Sequence, residues 1–151
     1  IALFGAKYFR SGYLAFLIPI FALWFSDIII NNFILSQYFD GFTLFYPGFY
    51  WQYGSFLLIT LLGRKTLNNM SFLKLLGVSI SSSLLFFIIS NFGVWVSSSI
   101  YSKNILGLIA CYTAAIPFYF GTLSGSVFYS FFLFGSYELL SKNTSKVFTN
   151  K

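Results

Sequence analysis

The sequence contains no histidine, one cysteine and three acidic residues, Asp27, Asp40 and Glu138, in 151 positions. Each scarcity removes a class of chemistry. Metal sites draw on His, Cys, Asp and Glu in local clusters, and this chain by itself cannot assemble such a set. Cys111 lacks a second thiol for an internal disulfide and an imidazole to activate it, and its apolar surroundings disfavour the thiolate. The three carboxylates fall on different segments, so no pair for acid–base work is in view. There is no phosphate-binding loop either, and any ATP hydrolysis would have to come from a partner. The sequence thus reads as that of a non-enzyme without a bound cofactor.

Charge is also scarce. Only 8% of residues are charged, against roughly a quarter in an ordinary soluble domain, while 58% are hydrophobic and 24% aromatic. A bilayer-crossing helix needs about 20 mostly apolar residues, and the chain offers four complete runs near that length plus an apolar N-terminal remnant. The expected fold class is all-α, a polytopic membrane helix bundle of about six spans, with residues 1–140 as one transmembrane domain. Residues 141–151 read as a polar, basic, loose tail. The net charge of +6 would indicate nucleic acid in a soluble protein. Here the Lys and Arg residues scatter over helix ends and the tail, which fits lipid head groups and topology instead.

The N-terminal run, IALFGAKYF, is short and begins with Ile rather than Met, which reads as a first helix missing its start; a cleaved signal peptide is the alternative. Lys7 and Arg10 close it. Ala2 and Ala6 lie four apart, a small-residue face that lets a partner helix approach. The second span, 13–34, carries Asp27 deep in its apolar run, followed by Asn31 and Asn32. An intramembrane carboxylate is by default a site; the competing reading is a cap or ion pair at a helix end.

Tyr46, Tyr50, Trp51 and Tyr53 crowd the start of the third span beside Gln52. They read either as an interfacial aromatic belt or as a ligand-stacking wall. In the fourth span, 75–96, Asn91, Trp95 and Ser98 share one helical face, which fits a ligand contact or a simple helix–helix hydrogen bond. The stretch 105–140 is too long for one crossing and about right for two, so a reversal is expected near 117–121, at Pro117 and Gly121. Gly107, Ala110 and Ala114 make a small-residue face before it, and Gly121 and Gly125 form a GxxxG after it. With six spans the cations divide as five against four (Lys7, Arg10, Arg64, Lys65, Lys74; Lys103, Lys142, Lys146, Lys151), which does not choose an orientation.

Five stretches taken in order, IALFGAKYF, PIFALWFSD, NFGVW, GLIACYTAAIPF and LFG, resemble an uncharacterised family of small bacterial membrane proteins assigned to transport. That family is similar in turn to the substrate-binding S components of energy-coupling factor (ECF) vitamin transporters. The resemblance implies a six-helix fold in the bacterial cytoplasmic membrane, a small-molecule pocket between helices and a first helix, here Ala2 and Ala6, that packs on a transmembrane coupling subunit.

Two functions follow as expectations. In the first, Trp51, Gln52, Asn91, Trp95 and Tyr112 line a pocket for a vitamin-like micronutrient, with Asp27 pairing a cation, and partner subunits drive transport. In the second, the chain is a small accessory subunit whose aromatic surface packs against lipids and other transmembrane helices. Convergence of the polar residues on one cavity favours the first; their dispersal favours the second.

Overall fold

In the computed structural model the structure describes residues 1–9, 11–69 and 71–149, and the side chains of these up to Ser141. The expectations placed on Arg10, and on the side chains of Lys142, Lys146 and Lys151, lie outside the described residues. Five α-helices are present: α1 (Ala2–Tyr8), α2 (Gly12–Ile29), α3 (Phe49–Thr66), α4 (Phe72–Ser97) and α5 (Ile105–Thr149). No strand occurs among the described residues. Among the described residues three segments, Gly12–Ile34, Phe72–Ser97 and Ile105–Ser141, are long and apolar enough to cross a membrane.

Backbone economy explains this architecture. In hydrocarbon each N–H and C=O must find its partner within the protein, which favours uninterrupted helices. The reversal expected at residues 117–121 is accordingly not formed: α5 runs straight through Pro117 for 45 residues, roughly 65 Å at 1.5 Å per residue. A proline inside a helix forfeits one backbone hydrogen bond, whereas a reversal would strand several donors and acceptors at two new helix ends. Phe87 of α4 also holds both sides of the proline, meeting the Tyr112 ring at 5.6 Å and the Tyr119 ring at 5.0 Å. The helical backbone continues to Thr149, past the boundary expected at Ser141.

The seam between α4 and α5 is antiparallel and continuous. Trp95 Nε1 donates to the Ser102 carbonyl, Tyr112 Oη to that of Ile88, and Ser126 Oγ to that of Ser79. Phe72 and Phe131 meet at the far end with tilted rings, 4.7 Å apart. Beyond Phe131, α5 leaves α4 behind and meets α1: Phe134 and Tyr137 pack on Phe4 and Tyr8, and Tyr8 Oη donates to Glu138 at 3.0 Å.

On the other flank of α4 lies α3, which also touches α1 and α2. Glycines set these approaches. A Cβ on Gly63 would fall 2.9 Å from Ala6 Cβ and 3.1 Å from Leu3 Cδ2, so α1 rests directly on the α3 backbone. A Cβ on Gly93 would fall 2.3 Å from Trp51 Cγ, so the indole rests directly on the α4 backbone there. The apolar core gathers Ala2 and Leu3 with Ile59, Leu67, Leu75, Val78 and Phe134.

One substitution tests the α1–α3 contact. Gly63→Ala should lower stability by about 1–3 kcal/mol through overpacking, read as thermal unfolding in detergent. Gly77→Ala, with no atom within 4 Å of its new methyl, should leave the transition in place.

Candidate functional site

Where the Ser36–Gly41 connection follows α2, the helix widens into a π turn, Ile30–Ile34, that re-aims the chain. Asn32 secures the connection: Nδ2 donates to the Ile28 and Thr43 carbonyls, both at 2.8 Å, and Oδ1 accepts from Thr43 N at 2.7 Å. One turn earlier Asp27 is only 8% exposed and accepts a 3.0 Å hydrogen bond from Tyr53 Oη. Tyr46 Oη donates to Gln52 Oε1 at 2.7 Å, and burial followed by the Asp27 charge raises the Tyr46 pKa. Asp27, Gln52, Tyr46 and Tyr53 therefore form one polar cluster between α2 and the start of α3. Asn31, 6% exposed, has no hydrogen-bond partner for Nδ2.

The remaining expected ligand residues are used elsewhere. Asn91 Nδ2 donates to the Phe87 carbonyl of its own helix, and Trp95 and Tyr112 serve the α4–α5 seam. Trp51 packs on Gly93 and Phe92. The six residues thus separate into a carboxylate cluster and a set of helix contacts. None of them lines the groove between α3, α4 and α5.

That cavity, about 600 Å³, opens where α3 and α5 flank α4 without a packed seam of their own. Phe56 and Ile59 of α3 form one wall, and Gly121, Gly125 and Tyr129 of α5 the other. Ser82, Ser83 and Phe86 of α4 form the floor, and Ala2 and Leu3 close one end. Of the residues expected to pack against partner helices, Ala2 and Ala6 are buried within the chain itself. Gly107 accommodates the Ser102 carbonyl of its own preceding loop, and Ala110 and Ala114 are exposed. Gly121 and Gly125 border the groove, where an added methyl would meet nothing within 4 Å.

Sequence reasoning singled out these two glycines as a packing pair and gave no site role to Ser82, Phe56 or Tyr129. The signal that could have found them is the coincidence of a serine run at 81–83 with a small-residue stripe on the next helix. No group of three or more potential metal ligands occurs among the described residues.

The carboxylate cluster yields a direct test. Tyr53→Phe should destabilise the protein by about 1–3 kcal/mol, the cost of leaving a buried acceptor unmatched. In an Asp27→Asn background the same change should cost measurably less, and a double-mutant cycle on reversible unfolding in micelles reads the coupling.

No curated protein and no solved structure matches the sequence. A family model does match, over residues 1–148, and its description is a family of unknown function, DUF6580. Nearly the whole length is covered, so the chain belongs to the DUF6580 family.

Proposed function

We propose that this chain is a membrane-embedded binding protein for a small molecule, serving a transport system whose energy comes from partner subunits. The groove among α1, α3, α4 and α5 is the observation that carries the reading. Its volume of about 600 Å³ falls among small-molecule sites, which span roughly 300–1,000 Å³ and are mostly apolar with a few polar groups. Three aromatic rings, Phe56, Phe86 and Tyr129, and the hydroxyls of Ser82, Ser83, Thr122 and Ser126 supply that mixture. The resemblance to S components points the same way, with a vitamin-like micronutrient as cargo.

A second reading has its own support. Trp95, Tyr112 and Asn91 are spent on contacts within the chain, and many large apolar side chains of α2 and α5 are exposed, Phe21, Phe25, Phe118 and Phe128 among them. An accessory subunit seated among other transmembrane helices would look like this.

Native mass spectrometry of protein purified gently from membranes separates the two. The binding reading expects a stoichiometric small molecule that Gly125→Leu, which fills the groove, removes without unfolding the protein. Recovery inside a large assembly with no bound metabolite, unchanged by Gly125→Leu, overturns it in favour of an accessory subunit.

A further inference from the structure

Helix α4 is unusually rich in serine, and in an apolar helix a serine hydroxyl ordinarily turns back to the carbonyl four residues earlier. Ser79 Oγ donates to Leu75 O at 2.8 Å, Ser83 Oγ to Ser79 O at 2.9 Å and Ser90 Oγ to Phe86 O at 2.7 Å. Ser82 departs from this pattern. It is 3% exposed, it lines the groove, and its Oγ has no hydrogen-bond partner. A buried hydroxyl left unmatched is disfavoured unless something other than its own helix takes its proton.

Of the other hydroxyls along the groove, Ser83 and Ser126 both donate to the Ser79 carbonyl and Thr122 donates to that of Phe118. Tyr129 is 62% exposed and Ser130 half-buried, so Ser82 is the groove hydroxyl that is both buried and unmatched. Among the described residues no charged side chain lines the groove, so an ionic ligand would lose its hydration without gaining a counter-charge from a side chain. The rings of Phe56, Phe86 and Tyr129 offer flat apolar surfaces, and the missing side chains of Gly121 and Gly125 leave room between them.

From these observations we infer that the groove selects an uncharged ligand with a flat apolar body and one hydrogen-bond acceptor, held by a hydrogen bond from Ser82 Oγ. This rests on the groove being a ligand site. A charged ligand finds no opposing charged side chain among the described lining residues, and a pure hydrocarbon leaves Ser82 unmatched.

Benzophenone is a suitable probe, being neutral, aromatic and endowed with one carbonyl acceptor, and light couples it to nearby C–H bonds. Diphenylmethane has the same two rings without the acceptor. With the full-length protein in lipid nanodiscs, benzophenone should label peptides containing Phe56, Phe86 or Tyr129. Ser82→Ala should weaken benzophenone binding roughly fivefold, the scale of one hydrogen bond, and leave competition by diphenylmethane unchanged. Ser82→Thr, which keeps the hydroxyl, should restore it.

Equal affinity for benzophenone in the wild type and Ser82→Ala, with the label still in the groove, overturns the acceptor rule and leaves the ligand site standing. Label that persists in Gly125→Leu, or falls outside the groove, overturns the site itself. Label that joins the groove to a helix of another protein, or to a segment preceding Ile1, shows a helix seat and overturns both.

Discussion

An apolar surrounding gives the peptide backbone no partner except the protein, and the structure follows from that constraint. Helices satisfy it internally, so the described chain is helical almost throughout. The same constraint keeps α5 continuous across Pro117 and turns the hydroxyls of Ser79, Ser83 and Ser90 back onto α4. Asn32 meets the demand where the helix ends, supplying one acceptor and two donated bonds to a connection that has no regular ladder of its own.

Shape then comes from a few glycines and from the unequal lengths of the helices. Gly63 admits α1 onto α3, and Gly93 admits the Trp51 indole onto α4. Because α4 has 26 residues and α5 has 45, the second outruns the first and reaches α1, whose rings take over where α4 stops. Helices α3 and α5 therefore stand on either side of α4 with α1 bridging one end, and the groove is the space left between them.

The polar side chains divide by what lies nearest. Asp27 lies where α2 passes the start of α3 and takes the Tyr53 hydroxyl. Asn91 and Tyr112 sit within reach of α4 carbonyls and use them. A polar group in a membrane span takes the first adequate partner, which is why shared helical phase alone did not gather Asn91, Trp95 and Asp27 into one site. Ser82, like Asn31, is a buried group for which no neighbour supplies a partner.

The sequence by itself determined the helical class and the long apolar segments, because these depend on composition and run length. It also marked Gly121 and Gly125 as a close-packing pair, whereas in the structure an added methyl at either meets nothing within 4 Å. Tertiary structure alone decided that 105–140 is a single helix and that Ala2 and Ala6 pack inside the chain. It alone decided that the open cavity lies at Ser82 rather than at Trp95. Those outcomes depend on which helix lies beside which, and run length and periodicity specify the face of a helix without specifying its neighbour.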